Sequence, residues 1–176
     1  ASAQARRLAL VQQTARDLTA ISSVRELCER LVQAIHARMS RHVAAVYLLE
    51  SDELHLAAYR VPTTIAPLEA VRLPLGVGIV GHVAAARQPY LCHDTRCDPY
   101  FHRASDLGTR SEAAVPVLAG ADLVGVLDVE SPHPSAFDDD DLATLAAIAD
   151  QAAIAIQNAR LYEAEADLRR RAGRFD

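Results

Sequence analysis

Residues 76–86 read GVGIVGHVAAA, an apolar run with glycines at 76, 78 and 81 and with Gln88 and Pro89 just beyond it. Glycine permits close approach of a helix to neighbouring chain, and proline cannot continue a helix. The run therefore predicts a short apolar helix that the glycines open and that ends before Pro89. The N–H groups at such a helix start have no helical partners, so they are candidates for binding an anion.

The chain on both sides of this helix has strand patterns. Short runs of β-branched and aromatic residues, or of alternating apolar residues, are bounded by turn-forming residues such as Ser51 and Asp52. The expected strands are residues 44–50, 54–58, 70–73, 90–92, 112–118 and 123–130. The first two and the last two are spaced as hairpins.

Helical patterns occupy both ends of the chain. Apolar residues recur at three-and-four spacing in residues 5–19, and Ser22 or Ser23 can cap a second helix that contains Glu26 at capping-box distance. A long third helix runs from about Leu142 towards Arg170. Helices, strands and a polar irregular segment in this order indicate an α+β fold with an antiparallel sheet and helices packed on one face.

Composition and charge limit the classes of function that the chain can have. Hydrophobic residues make up 51% and charged residues 23% of the 176 residues, which is typical of one globular domain. The formal net charge of −5 does not favour nucleic acid, and no apolar run approaches the ~20 residues of a membrane span. Three scattered cysteines, Cys28, Cys92 and Cys97, do not suggest a disulfide framework. We expect a cytoplasmic segment without membrane contact.

Three blocks together resemble the GAF family. They are GVGIVGHVA at 76–84 followed by Pro89 and 94–101, SEAAVPV at 111–117 with LVGVLDVES at 123–131, and Phe137 with the helical stretch 141–162. The resemblance implies a six-stranded, roughly antiparallel sheet with a ligand cavity on one face, roofed by residues 79–101. It also implies terminal helices on the other face.

The resemblance implies a sensory role and a domain plan. Residues 1–40 would form the N-terminal helices, 41–162 the GAF core and 163–176 an outgoing signalling helix. Such a module belongs to a larger bacterial signal-transduction protein and relays ligand state to an output domain. The ligand and any cofactor remain unknown, because the fold does not fix them.

The terminal helix carries a seam of apolar and small residues at alternating three-and-four spacing, which favours a homodimer through terminal helices. Its members are Leu142, Leu145, Ala149, Ala152, Ile156, Ala159, Glu163 and Ala166. Intramolecular packing of the same seam is one alternative. Another is a dimerisation scaffold that senses nothing.

Candidate cofactor-binding residues lie in and beside the roof. They are Ile79, His82, Asp94, Cys97, Asp98, Phe101 and Glu112. The acidic residues among them favour a cationic or hydrogen-bond-donating ligand. The alternative is structural, with Asp94 and Asp98 capping turns and Glu112 pairing with Arg110 at the surface.

Cofactor sensors are less favoured alternatives. His82, Cys92, His93, Cys97 and His102 lie close in sequence, but their spacing matches no zinc or haem motif, so no metal site is predicted. The position of Cys97 resembles that of the chromophore cysteine in phytochrome-like GAF domains. However, Asp98 follows it where that motif usually has His, and the chain has no Trp and three Phe to enclose a tetrapyrrole.

Enzymatic function is a further alternative. Free methionine sulfoxide reductases share the GAF fold, with catalytic cysteines in the roof helix and in the loop before the Ser-Glu strand. Val80 occupies the first position here, and no cysteine lies between Cys97 and Ser111. On this reasoning the chain is predicted not to be an enzyme, with no catalytic residues.

Overall fold

The computed structural model describes residues 2–18, 23–39, 42–68, 70–102 and 107–173. Four helices and six strands lie within these residues. In chain order they are α1 (Ala3–Leu18), α2 (Val24–Arg38), β1 (Val43–Glu50), β2 (Glu53–Arg60), β3 (Arg72–Pro74), α3 (Gly78–Ala86), β4 (Tyr90–Cys92), β5 (Ser111–Ala119), β6 (Asp122–Ser131) and α4 (Asp139–Ala172).

The strands form one sheet in the order β3-β2-β1-β6-β5-β4, with every neighbouring pair antiparallel. The two long hairpins, β1-β2 and β5-β6, meet at the centre, where β1 pairs with β6. This arrangement confirms the α+β fold and the six-stranded antiparallel sheet that the resemblance implied.

Alternate residues of the central strands serve two separate cores. On one face α2 and α4 pack against Val115 and Leu127, and this core includes Leu31, Ile35 and Leu145. On the other face α3 packs against a smaller cluster. That cluster contains Ala45, Tyr47, Leu54, Ile79, Val80, Val83, Ala84, Cys92, Ala114 and Val126. Because side chains alternate along a strand, neighbouring residues of β5 and β6 contribute in turn to the two cores.

Side-chain caps fix the beginnings of two helices. Ser23, one of the two serines that the sequence offered as a cap, accepts the N–H of Glu26 and caps α2. Asp138 and Asp141 form a reciprocal capping box at the start of α4, with hydrogen bonds of 2.8 and 3.0 Å. Acidic residues in the first turn and arginines in the last turn of α4 also match its macrodipole.

The seam of α4 is covered within the chain. Leu145, Ala149, Ala152, Ile156 and Ala159 are all buried, packed in the core between α4, α2 and the sheet. The prediction that these residues form a dimer seam is therefore wrong, and the intramolecular alternative holds for them. They are small or apolar because a helix that packs closely on a sheet needs such residues.

Gly81 positions the roof helix α3 close to the edge of the sheet. A Cβ atom at this residue would lie 2.7 Å from the carbonyl oxygen of Pro74, and the carbonyl of Gly81 accepts the N–H of Gly76 at 2.8 Å. Only glycine fits so near to backbone. In the parts of the chain that the structure describes, no helix has the length and apolarity needed to cross a membrane.

Candidate ligand-binding site

A cavity of about 340 Å³ lies between the sheet and the roof, near the N-terminus of α3. Its walls come from β1, the β2–β3 connection, α3 and the chain around Phe101, and its floor from β5 and β6. The lining residues are Tyr47, Leu68, Ala70, Val71, Arg72, Leu73, Val77, Gly78, Ile79, Val80, Phe101, His102, Leu107, Thr109, Glu112 and Glu130. The cavity thus combines apolar walls with a few polar groups, as ligand sites do.

Three carboxyl groups meet at the cavity floor; we call Glu112, Asp128 and Glu130 the carboxylate cluster. Glu112 on β5 and Glu130 on β6 are directly opposed partners in the ladder, and Asp128 precedes Glu130 by two residues on the same face. One oxygen from each carboxyl lies within 4.8 Å of the other two. Directly opposed like charges destabilise a sheet, so this pairing needs a compensating interaction.

The carboxylate cluster holds protons tightly. Burial raises the pKa of Glu112 well above its usual range, and the charge of Glu130 adds to this. Burial also raises the pKa of Asp128, with further contributions from Glu112 and Glu130, and burial raises the pKa of Glu130. The cluster is therefore a shared-proton system, and its ionised form requires a nearby positive charge.

Asp128 lacks ordinary hydrogen-bond donors. The residue is 1% exposed, and no N–H or hydroxyl group of the described residues donates to either of its carboxyl oxygens. Its contacts are with the other two carboxyls of the cluster, to which the protonated Asp128 donates. The hydroxyl of Thr109 donates to Glu130. A buried acceptor without a donor is unfavourable, so the cluster is suited to a ligand that brings N–H groups.

Groups that suit negative charge lie elsewhere on the cavity wall. The side chain of Arg72 is 66% exposed at the cavity, 3.9 Å from Glu53. The first turn of α3, from Gly78 to Val80, also lines the cavity, and the N-terminal N–H groups of a helix favour anions. The cavity therefore has one acidic region and one region that favours an anion.

Asp98 organises the roof rather than the cavity floor. One oxygen of its carboxylate accepts the N–H groups of Tyr100 and Phe101 at 2.8 and 3.0 Å, and the other accepts the hydroxyl of Tyr90 at 2.7 Å. Tyr100 stacks on His82 of α3 with ring centroids 3.6 Å apart. These contacts connect β4 and α3 to residues 98–101, the segment that places Phe101 in the cavity.

A second anchor ties the roof to β5. Asp94 accepts two hydrogen bonds from the Arg110 guanidinium, at 2.9 and 3.3 Å, and this interaction lowers the pKa of Asp94. The N–H of Thr95 donates to the carbonyl of Arg110. The alternative in which Glu112 pairs with Arg110 at the surface is wrong, because Glu112 is 5% exposed and Arg110 pairs with Asp94.

The predicted site residues fall into two groups. Ile79, Phe101 and Glu112 line the cavity. His82, Asp94 and Asp98 build the roof and its anchors, and Cys97 is exposed on the roof segment. Binding by each of them remains a prediction. The turn-capping alternative for Asp94 and Asp98 agrees with their hydrogen bonds to backbone N–H groups.

Sequence reasoning missed four polar cavity or cluster residues. They are Arg72, Thr109, Asp128 and Glu130. A signal was present in LDVES at 127–131, where two acidic residues occupy alternate positions of a strand that is otherwise apolar. Alternation places both on one face, and charged residues on a buried strand are uncommon without a partner or ligand.

The three thiols differ in accessibility. Cys28 and Cys92 are buried, and burial raises the pKa of each to about 12. Cys97 is exposed. Among the described residues that line the cavity there is no cysteine. Within the same described parts, the His and Cys residues around the roof form no group of metal ligands, whereas the carboxylate cluster offers the oxygen ligands that Mg²⁺ and Ca²⁺ prefer.

Residues 22–157 match the sequence profile of the GAF domain family, which is most of the chain. The chain belongs to the GAF domain family. The solved structure of a putative GAF sensor protein from Burkholderia vietnamiensis superposes on this GAF domain with a TM-score of 0.80 and 26% identity, covering 91% of this chain and 99% of that one.

Other relatives of this GAF domain are enzymes. It is 32% identical over 98 residues to the free methionine-R-sulfoxide reductase of Escherichia coli, and the match spans 56% of each chain. The reductase structure from Neisseria meningitidis, in complex with its substrate, has a TM-score of 0.81 at 23% identity and covers 92% of this chain and 94% of that one. The prediction that the chain is not an enzyme is therefore wrong, because these comparisons point to enzymatic function.

Proposed function

We propose that this GAF domain binds a small zwitterion of the free amino acid class, with the ammonium group of the ligand on the carboxylate cluster. The carboxylate cluster is the observation that supports the proposal, since its three carboxyl groups lie together and no N–H or hydroxyl group in the described part of the chain donates to Asp128. A protonated amine brings a positive charge and up to three N–H donors. It therefore offsets the like-charge repulsion and satisfies the acceptors in one step.

The rest of the cavity suits the other parts of such a ligand. Arg72 and the N-terminus of α3 favour a carboxylate, and Ile79 and Phe101 provide apolar walls for a side chain. A volume of about 340 Å³ is within the range for small-molecule sites. Free methionine sulfoxide is the first compound to test, because the reductases from E. coli and N. meningitidis are named for it.

The proposal is tested with ligand pairs that differ in the amine alone. Free methionine sulfoxide, free methionine and other amino acids raise the thermal unfolding temperature of the protein, whereas their N-acetyl forms do not. E112Q abolishes the increase. D122N, a carboxylate change at the exposed start of β6, retains it. Equal stabilisation by an N-acetyl form, or full stabilisation of E112Q, contradicts binding through the carboxylate cluster.

A second candidate function is reduction of bound free methionine sulfoxide, which the likeness to the reductases favours. In this chemistry a thiol takes the sulfoxide oxygen to become a sulfenic acid and releases methionine, and an external dithiol then returns the sulfenic acid to thiol with loss of water. Cys97 is the thiol best suited to this role, because it is exposed and belongs to the segment that carries Phe101. Burial and a pKa of about 12 leave Cys92 little thiolate.

The reductase candidate is tested by measuring methionine formed from free methionine sulfoxide with excess dithiol. Turnover is lost in C97S and retained in C28S, a matched change at a buried thiol remote from the cavity face. Turnover that persists in C97S excludes that thiol. A wild-type protein that binds the sulfoxide but forms no methionine rejects reduction and leaves the binding proposal standing.

We also propose that ligand occupancy is relayed to α4 and, in a longer protein, to an output domain. Glu112 faces the cavity, and its neighbours Ala113 and Val115 contribute to the core beneath α4. A displacement of β5 towards the ligand therefore changes the packing of α4. Hydrogen exchange along residues 145–159 should change when ligand is added; unchanged exchange with ligand bound would favour a scaffold that does not signal.

A further inference from the structure

Residues 107–109, which we call the wall segment, connect the cavity wall to the carboxylate cluster. Leu107 and Thr109 both line the cavity, and the hydroxyl of Thr109 donates to Glu130. Gly108 between them is exposed and has a left-handed backbone, with a φ of 67°. Because an exposed glycine contributes little packing, the contacts of its two neighbours hold the wall segment against the sheet.

His42 holds the Leu107 end of the wall segment. It directly precedes β1, and because Val43 pairs with Glu130, His42 lies beside the end of β6. Its Nε2 atom lies 2.6 Å from the carbonyl oxygen of Leu107. A carbonyl oxygen can only accept a hydrogen bond, so Nε2 carries a hydrogen and donates it. The imidazole therefore joins the start of β1 to the cavity wall.

Thr109 at the other end of the wall segment acts on the carboxylate cluster. It is 9% exposed, and its carbonyl accepts the hydroxyl of Thr95 at 2.9 Å. Its own hydroxyl fixes one oxygen of the Glu130 carboxyl group. Burial raises the pKa of Glu130, and the hydrogen bond from Thr109 lowers it, so Thr109 favours the ionised form that an ammonium group requires.

We propose that His42 is a positioning residue for the ligand: through Leu107 it holds Thr109 in place, and Thr109 orients the Glu130 carboxylate towards the ammonium group. This inference rests on the proposed function and adds to it a residue outside the described lining of the cavity. Groups that fix a binding side chain in one geometry lower the entropic cost of binding.

The surroundings of His42 make this role accessible to mutation. Its side chain borders a second cavity, of about 300 Å³, between the C-terminus of α2 and the end of β6. It is not a member of either hydrophobic core within the described residues. A change of side chain at this position therefore leaves the packing of α2 and α4 on the sheet intact.

Two substitutions at His42 separate its N–H donor from its size. H42L removes the donor, whereas H42Q retains an N–H group. Calorimetry with free methionine sulfoxide as the probe should show about threefold to tenfold weaker binding in H42L, the equivalent of one hydrogen bond. H42Q should retain most of the affinity. H133L, at an exposed histidine of the second cavity, is the control and should bind as the wild type does.

A double-mutant cycle tests whether His42 acts through Thr109. T109V removes the hydroxyl that donates to Glu130 and should weaken binding at least as much as H42L does. The double variant of H42L and T109V should bind no more weakly than T109V alone, because His42 then has no hydroxyl to position. Losses that add in the double variant overturn the proposed route through Thr109.

Hydrogen exchange tests the anchor without a ligand. Residues 107–110 should exchange faster in H42L than in the wild type and H42Q, and equal exchange in all three contradicts anchoring by His42. Thermal unfolding confirms that each variant is folded.

The failure of this inference is distinguishable from that of the proposed function. If neither free methionine sulfoxide nor free methionine binds the wild type, the proposed function fails, and the positioning role fails with it. If the wild type binds and H42L binds equally well, the role of His42 alone is overturned. Equal losses in H42L and H42Q also overturn it, because the N–H donor would then not be what matters.

Discussion

Glu112 and Glu130 are directly opposed across β5 and β6, and both reach the same cavity. Two carboxylates in this relationship destabilise the sheet unless protons or a cation intervene. Shared protons offset this repulsion, and we propose that an ammonium ligand replaces them.

The first prediction concerns stability and pH. Burial raises the pKa of Asp128 above its ordinary 3.8, so the folded protein retains protons that the unfolded chain releases. Stability therefore falls as pH rises from about 4 through the raised pKa. D128N should make the free energy of unfolding depend less on pH. It should also stabilise the ligand-free protein at neutral pH by on the order of 1–3 kcal/mol. Urea unfolding from about pH 5 to 9 measures the effect.

D122N is the control for this experiment, since it makes the same change at an exposed position of the same strand. It should leave the pH dependence as in the wild type. A wild-type stability that rises between neutral and alkaline pH would contradict the protonation of the cluster.

The second prediction concerns the roof. Y90F removes the hydroxyl that donates to Asp98 at 2.7 Å, so the carboxylate holds the Tyr100 and Phe101 N–H groups less firmly. Hydrogen exchange of residues 98–102 should be faster, with a stability loss of about 0.5–1.5 kcal/mol. Y162F, at an exposed tyrosine of α4, should change neither quantity. Unchanged hydrogen exchange in Y90F would show that the position of the Asp98 carboxylate does not depend on the hydrogen bond from Tyr90.

The third prediction concerns the sheet centre. A Cβ atom on Gly125 would lie 2.0 Å from the carbonyl oxygen of Tyr47, so β1 and β6 cannot both keep their positions. G125A should destabilise the protein by about 3 kcal/mol or more, measured by urea unfolding. G173A is the control, because its nearest heavy atom is 3.6 Å away. If G125A and G173A were equally stable, β1 and β6 would be able to move apart at little cost in free energy.

The fourth prediction concerns thiol accessibility. Cys97 should react rapidly with a chromogenic disulfide reagent in the native protein, whereas Cys28 and Cys92 should react after unfolding. The native protein should therefore release one equivalent of chromophore promptly and the remainder in denaturant. Prompt reaction in C97S would show that the roof or the helical layer opens readily.

Much of the fold was predictable because local patterns agree with the tertiary structure. Alternation of apolar residues marked the hairpins, Pro89 marked the end of α3, and the two serines at 22–23 marked the start of α2. The seam of α4 was ambiguous, because alanines at three-and-four spacing suit a sheet as well as a partner helix.

The site was harder to predict than the fold. Glu112 was identified, but its partner Glu130 lies on the neighbouring strand, and only the register of β5 and β6 brings them together. Their charge makes Asp94 and Asp98 candidate ligand contacts in the sequence, yet backbone N–H groups and Arg110 or Tyr90 already donate to these carboxylates. Spacing along the chain identifies acidic residues but not which of them lack donors.

Isothermal titration calorimetry with free methionine-R-sulfoxide, at about pH 6 and about pH 8, tests the central claim most directly. An ammonium on the carboxylate cluster displaces protons, so affinity should rise with pH in the wild type. In E112Q the affinity should fall by about tenfold or more, and the pH dependence should weaken. Binding that is unaffected by pH and by E112Q would contradict recognition of the ligand by the carboxylate cluster.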